Sequence, residues 1–494
     1  MLMKIDCSSN RVLKAWQDWN GTIDCGYTNV TWHADELKKI VSEYSTQLIN
    51  AGLKPGNTVA LVLSNTIAFP VSFISLLKVG CNLLLLHGST PYEEIANYSK
   101  VMNINWLSHD HLPDISHLEN QTFSQLTELS IKNIKITLNK TNFSTFSTPK
   151  TQNYQGVVFH PTSGTFGKPS ICVRDQQVAI AEAINYTSSI PCYKNSRIVV
   201  TTPLSHAFAY GFGLMSTLIS NSTMVIDPVF NPKHLLRREQ QKGSDILMVV
   251  PPMLHSLLHF KQMNSQYSLP KIVFYAGTRC DSQLKQEFES NYNVNLYTIY
   301  GTTETGAIST NYDEKGSDLS AGSALNNAEI KITNQEKYQD IGENTGEIMI
   351  RSSSMMNKYL TDESDRNFTD FYPTGDIGTL DDQNRLFLVG RIKDIVNVDG
   401  MKVDPVEIEN VLLSYQLIKD AVVYPGASSN HSEILVAAIC GEITKQDLEE
   451  IKKYCYTKLL KHKVPSIFYI QEKLPRTPSG KCLKTQLPNY FNKF

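Results

Sequence analysis

Apolar residues along the chain follow two spacings. Leu37, Ile40, Val41, Tyr44, Leu48 and Ile49 recur at helical intervals and predict an amphipathic helix opened by Thr31. Gly52 and Lys54-Pro55-Gly56 end it and turn the chain. Two unbroken apolar runs, Val59–Leu63 and Asn82–Leu86, then flank an apolar helix over residues 66–79. Short continuous runs of this kind predict buried strands, and strand, helix and strand in quick succession predict a layered α/β structure. Residues 130–154, rich in Asn, Thr, Ser and Lys, predict a surface connection.

The alternation continues beyond that stretch. Gly156–Phe159, Ile246–Val250, Lys271–Tyr275 and Leu296–Tyr300 predict strands, and Thr201–Gly211 an apolar helix start. Pro251-Pro252 suits the first turn of a helix, where a missing N–H costs nothing. Past residue 400 the pattern changes to that of a compact α+β unit. Its strands are Ala421–Tyr424, Ile434–Ile439 and Phe468–Ile470, and Leu448, Ile451, Cys455, Leu459 and Leu460 form a helical stripe. A chain of 494 residues is too long for one ordinary core. The fold class predicted is α/β multidomain: a large N-terminal α/β region of layered sheets and helices, plus a small α+β C-terminal domain.

Composition narrows the partners. With 41% hydrophobic and 19% charged residues the chain is of the soluble globular type. A net charge of -2 gives no electrostatic reason to expect nucleic acid or an anionic membrane. No run approaches membrane-spanning length, and the first residues lack the apolar core of a signal peptide. The 9 cysteines form no C-x-x-C pair, which argues against a zinc site or disulfide framework and for a reducing, cytoplasmic location.

One polar stretch stands out, His160-Pro161-Thr162-Ser163-Gly164-Thr165-Phe166-Gly167-Lys168-Pro169-Ser170. Gly164 and Gly167 let backbone N–H groups turn inward, and the hydroxyls of Thr162, Ser163 and Thr165 add donors, as an anionic phosphate requires. The spacing is not that of a P-loop, and the same residues also suit an ordinary polar surface loop.

Four more stretches come after it in order: Tyr300-Gly301-Thr302-Thr303-Glu304-Thr305-Gly306, Thr374-Gly375-Asp376, Gly390-Arg391-Ile392-Lys393-Asp394 and Pro478-Ser479-Gly480-Lys481. Together with the first they resemble the signature set of the acyl-adenylating (ANL) superfamily. That superfamily groups acyl- and aryl-CoA synthetases, peptide-synthetase adenylation domains and luciferases. The resemblance runs from about residue 30 to the C-terminus. It implies a nucleotide- and carboxylate-binding domain over residues 1–391 and a hinge at 392–394. Residues 395–494 would form a mobile domain carrying a catalytic lysine, Lys481.

The resemblance also implies roles. Thr162, Ser163, Gly164, Thr165, Gly167 and Lys168 would cradle phosphates, while Gly277 and Thr278 would border adenine and Tyr300 would offer it a flat face. Within Gly301-Thr302-Thr303-Glu304, Thr303 would donate to the α-phosphate and Glu304 would give Mg²⁺ an oxygen ligand. Asp376 matches paired ribose hydroxyls, and Arg391 reaches the same region with five donors. His206 would lie against the reacting carboxylate, Lys393 would be the hinge residue, and Gly400 would let a pantetheine arm approach the backbone. Each has an ordinary alternative: turn glycines at 277 and 400, a solvated Glu304, a packing His206, and a surface ion pair for Asp376 and Arg391.

The implied function is an ATP-dependent acid–thiol ligase. It would form acyl-AMP with release of pyrophosphate and pass the acyl group to CoA, with ATP and Mg²⁺ required. No acidic residue occurs from Thr201 to Ile226, where relatives that activate amino acids pair the ammonium group. A buried, unpaired ammonium is expensive, so a fatty or aromatic acid without an amine is expected. One alternative is a stand-alone loader of phosphopantetheine on a separate acyl carrier protein, since no carrier domain follows residue 494. Another is a degenerate, non-catalytic nucleotide-binding relative. It is suggested by Phe166 in place of a hydroxyl residue and Ser170 in place of the loop's closing lysine. Lys168 is positioned to restore the lost charge. Lys168→Ala is therefore expected to raise the apparent KM for ATP, and an unchanged ATP dependence would discard that compensation.

Overall fold

The computed structural model describes residues 11–99, 102–110, 123–131, 134–141, 154–162, 170–263, 266–277, 280, 282–312, 320–333, 335–339, 341–361, 370–398, 401–427, 433–476 and 482–490. Two large sheets organise the first three hundred of these positions. The nine-stranded one runs Ser323–Ala324, Gly306–Thr310, Asn295–Thr302, Ile272–Tyr275, Ile246–Val249, Arg197–Val200, Thr223–Ile226, Thr22–Cys25, Val30–His33. Its middle is parallel and its two margins are antiparallel.

Both faces of this sheet are covered, which explains the unbroken apolar runs. Ile246 and Met248 face an inner layer of helices, whereas Leu247 and Val249 face an outer one with Leu254 and Phe288. The outer helices are Pro232–Lys242, Pro251–Met263 and Ser282–Tyr292. The inner layer holds Ala34–Asn50, Ala68–Val79 and Gln176–Ser189, and its other side meets the second sheet through Val59, Leu61, Leu83 and Leu85.

That second sheet has eight strands, in the order Lys358–Tyr359, Ser170–Arg174, Val158–Thr162, Asn82–His87, Thr58–Leu63, Trp106–His109, Ile134–Thr141, Phe123–Ile131. Two short antiparallel pairings set the functional geometry. Val158–Thr162 and Ser170–Arg174 form a hairpin, and Lys358–Tyr359 adds to its outer edge. A separate four-stranded antiparallel sheet is made of Ala328–Thr333, Gly346–Ser352, Tyr372–Leu380 and Leu386–Arg391. It packs Ile348, Ile350 and Leu386 against Tyr300 and Ile308 of the nine-stranded sheet.

The C-terminal unit has its own core. Val396 and Val403 of a small hairpin, Ile408 and Leu412 of the helix Pro405–Leu413, and Ile451 and Cys455 of the helix Asp447–Lys458 pack on Val423, Leu435, Ala437 and Ile439. Among the described residues no helix is long and apolar enough to cross a membrane.

Several expectations are corrected. Thr31 lies in the strand Val30–His33, and the helix begins at Ala34. The strand pairs with Thr22–Cys25, a tertiary contact that overrides the capping preference of threonine. Residues 134–141 are a strand rather than a surface connection: Ile136 and Leu138 alternate with polar neighbours and are 2% and 0% exposed. Ile49 and Leu460 belong to no apolar stripe, being 57% and 64% exposed.

These burial differences set stabilities. Leu61→Ala, at a fully buried position, is expected to cost about 2–5 kcal/mol. Leu460→Ala should stay within about 0.5 kcal/mol of the parent. Denaturant midpoints followed by circular dichroism measure both.

Candidate active site

Three motif residues from distant stretches meet at one carboxylate. Asp376 is 5% exposed; its Oδ2 accepts the Tyr300 hydroxyl at 2.7 Å and its Oδ1 lies 2.8 Å from Arg391 Nε. Sheet register produces the meeting, because Asp376 and Arg391 are cross-strand partners. The tight turn expected at 372–375 is instead part of the strand Tyr372–Leu380, where the ladder shifts register; there Gly375 takes φ +73° and its carbonyl accepts from Ile392 N–H at 2.9 Å. Burial and the neighbouring Asp376 push the Tyr300 phenol far up, so it remains a donor. A carboxylate offers about four acceptor sites, so with one donor on each oxygen Asp376 keeps capacity for a further pair of hydroxyls. The Tyr300 ring itself sits in the core with Ile348 and Leu386.

Glu304 is placed by the turn that ends the same strand. The ladder slips between Tyr300 and Gly301, and a Cβ on Gly301 would stand 3.0 Å from Ala307 Cα, which explains the glycine. Thr302 and Thr305 close the turn through their hydroxyls, 3.1 Å apart, with Thr303 half-buried between them. The Tyr359 hydroxyl donates to Glu304 Oε1 at 2.9 Å and lies 3.1 Å from the Tyr372 hydroxyl. Burial and the Glu304 charge hold the Tyr359 phenol protonated. Tyr359 and Tyr372 carry no motif signal. Tyr359 reaches the site because Lys358–Tyr359 pairs with the hairpin of Val158–Thr162 and Ser170–Arg174, at Cys172. No group of three or more His, Cys, Asp or Glu among the described residues could hold a metal alone. A single carboxylate fits Mg²⁺, which binds through one or two carboxylates, substrate phosphates and water.

Of the polar stretch, residues 160–162 and Ser170 belong to the hairpin strands. Thr162 pairs with Ser170 across the hairpin's mouth, and its hydroxyl donates to the Ser170 carbonyl at 3.4 Å. Ser163, Gly164, Thr165, Gly167 and Lys168 lie outside the described residues, as does Thr278. Gly277 is described and takes φ +94° at the end of the strand Ile272–Tyr275, a conformation that disfavours side chains.

His206 is exposed and precedes a helical turn; its Nδ1 accepts weakly from Phe208 N–H at 3.4 Å. That turn does not continue as a plain α-helix. Residues Ala209–Met215 form a π-helical stretch, a device that widens a helix and frequently marks functional sites. The sequence pattern predicts only an apolar helix there, because π and α turns bury similar faces. The Phe208 and Phe212 rings lie 5.3 Å apart, tilted by 53°, and Phe212 meets Phe274 edge-on at 5.2 Å, so an aromatic wall backs this turn.

On the C-terminal side, Lys393 is half-buried, and burial together with Arg391 holds its ammonium below the usual lysine range. Gly400 and Lys481 lie outside the described residues. The stretch bearing Lys481 is tied at both ends. Arg476 pairs with Asp420 at 2.7 Å, Leu483 N–H donates to the Pro475 carbonyl at 2.8 Å, and Lys484 Nζ lies 3.8 Å from Asp394, the residue after Lys393.

The chain also matches known proteins in sequence and in fold. The AMP-binding enzyme family matches residues 14–360, and the AMP-binding enzyme C-terminal domain matches residues 407–481. The chain is 26% identical to 4-coumarate–CoA ligase 3 of Arabidopsis thaliana, over 94% of this chain and 87% of that protein. It is 25% identical to oxalate–CoA ligase of the same plant, over 97% of each. The fold superposes on o-succinylbenzoate CoA synthetase of Bacillus subtilis, solved with its acyl-adenylate, with a TM-score of 0.77 at 22% identity over 97% of this chain and 98% of that one. The adenylate-forming signature, the shared fold and the family match over most of the chain converge: it belongs to the AMP-binding enzymes of the acyl-adenylating superfamily.

Proposed function

We propose that the protein is an acid–thiol ligase that activates a fatty or aromatic carboxylic acid as acyl-AMP, releasing pyrophosphate, and then transfers the acyl group to CoA. The observation that carries this reading is the meeting of Tyr300, Asp376 and Arg391 on one buried carboxylate beside the turn that bears Glu304. A carboxylate acylates poorly because its leaving group would be oxide. Attack on the α-phosphate of ATP makes phosphate the leaving group, but it brings one anion toward another.

The chain's own residues answer that cost. Asp376 would fix the ribose through its remaining acceptor capacity, with Arg391 beside it as a fixed cation. His206 would orient the attacking carboxylate. Thr303, Thr162 and the loop residues Ser163, Gly164, Thr165, Gly167 and Lys168 would donate to phosphate oxygens. Glu304 would hold Mg²⁺, whose charge lowers the repulsion at the phosphates, and Lys481 would neutralise the pentavalent centre. Holding the reactants in line is worth up to roughly 7–11 kcal/mol. Glu182 lies against Gly211 but is already paired with Arg174, which fits an acid without an amine.

Thiol transfer needs the lysine to leave. Rotation of residues 395–494 about 392–394 would withdraw Lys481 and bring Gly400 to the site. The fatty or aromatic nature of the acid, and CoA rather than a carrier protein as acceptor, are tested together. Carboxylate-dependent ATP–pyrophosphate exchange is run over a panel of fatty, aromatic and dicarboxylic acids, followed by thioester formation with CoA or with a phosphopantetheinylated carrier. Thioester on the carrier alone would replace CoA by a carrier protein, and no exchange with any acid would favour a non-catalytic nucleotide binder.

Three variants refine the assignment. Lys481→Ala should lower exchange about 10²–10³-fold, whereas Lys393→Pro should spare exchange and block thioester formation. Joint loss of both steps in Lys393→Pro counts against the hinge. Tyr359→Phe removes the hydrogen bond to Glu304 and should raise the Mg²⁺ concentration for half-maximal exchange about 10-fold or more. A Mg²⁺ titration of the exchange rate reads that shift.

A further inference from the structure

Behind the phosphate-loop hairpin lies an ion pair that the proposed chemistry does not use. Arg174 ends the strand leading out of the loop, and its Nη2 bonds Glu182 on the helix Gln176–Ser189; their side chains are 0% and 1% exposed. Arg174 Nε and Nη1 have no hydrogen-bond partner among the described residues, so Glu182 alone fixes the direction of the guanidinium. A buried ion pair is a poor source of net stability, because desolvation consumes what the charges gain. Its presence here asks for a geometric reason.

Glu182 supplies one. Its carboxylate fills the space a methyl group on Gly211 would need, and a Cβ on Gly306 would stand 3.0 Å from its carboxyl carbon. Gly211 belongs to the π-helical turn that follows His206, and Gly306 closes the turn that carries Glu304. One carboxylate therefore touches three segments of the site at once. A second path runs alongside: Arg174 lies over the Tyr210 ring at 5.9 Å, and Tyr210 meets His160 edge-on at 4.9 Å. His160 pairs across the hairpin with Cys172, whose other neighbour is Tyr359, the donor to Glu304. Burial first, and the Arg174 charge second, hold His160 neutral, so this path adds no charge beneath the phosphates.

We infer that Arg174 and Glu182 are a positioning pair, setting the phosphate-loop hairpin in register with the His206 and Glu304 turns. The inference rests on the adenylation reading above. The loss should appear first in ATP binding, because Arg174 ends the strand that follows the loop, and should reach the acid more weakly, through the contact of Glu182 with Gly211 in the His206 turn.

The test compares wild type with Arg174→Met/Glu182→Leu, which removes both charges together, and with Gly211→Ala, which keeps both but drives a methyl into the Glu182 carboxylate. Thermal midpoint, Mg·ATP affinity by calorimetry, and KM for ATP and for the acid are measured on the full chain. A midpoint near that of wild type, with Mg·ATP affinity weakened about 10- to 100-fold and the KM for the acid raised by a smaller factor, is the expected result. Unaltered Mg·ATP affinity in either folded variant overturns the inference. If the double variant does not fold, Gly211→Ala decides alone. A wild type that binds Mg·ATP but exchanges no pyrophosphate overturns the functional reading while leaving the positioning test intact. A wild type that binds no Mg·ATP overturns both.

Discussion

The Asp376 carboxylate is the constraint on which the site depends. Held between the Tyr300 hydroxyl and Arg391, it joins the nine-stranded sheet to the four-stranded one and stands just before the change of direction at Lys393. A buried carboxylate without partners would be untenable, and one with two donors on a rigid ladder has little freedom to turn. The same two strands that position Asp376 thus set where the C-terminal unit begins. The proposed ribose contact and the proposed hinge lie on one continuous piece of backbone.

Around that point the molecule is arranged by paired strands rather than by loops alone. Tyr359 reaches Glu304 because a two-residue strand attaches to the hairpin edge, and the hairpin keeps its register because Thr162 faces Ser170. Three pieces of chain far apart in sequence are thereby held as one rigid frame. Preorganisation of this kind lowers the reorganisation needed when charge develops. Aromatic hydroxyls rather than additional carboxylates meet Glu304, so its carboxylate is oriented without added negative charge.

Much of this architecture was legible in the sequence, for a physical reason. Strands such as Ile246–Val249 and Thr58–Leu63 are buried on both faces, so their runs carry no polar interruption, and Pro251 marked the helix after them. Asp376 and Arg391 were expected in one region, whereas the Tyr300 hydroxyl on Asp376 was not, since that ring was expected against adenine. Tyr359, Tyr372, Arg174 and Glu182 were not, because each acts through a partner supplied by strand pairing or helix packing, and no local pattern encodes that. The strand at 134–141 was hidden by its polar face, and the π-helical turn by its similarity to an ordinary apolar helix. Ile49 and Leu460 show the opposite failure, in which correct spacing continues past the edge of the surface it is meant to cover.

The position of Thr22–Cys25 carries a consequence for biosynthesis. This early strand is parallel to Thr223–Ile226, and the hydroxyls of Thr22 and Thr223 lie 3.0 Å apart across 201 positions of chain. At roughly 5–20 residues per second, the ribosome needs about 10–40 s to supply the partner. Throughout that interval the nascent N-terminal segment must wait with its apolar face uncovered, a natural client for chaperones on emergence from the exit tunnel.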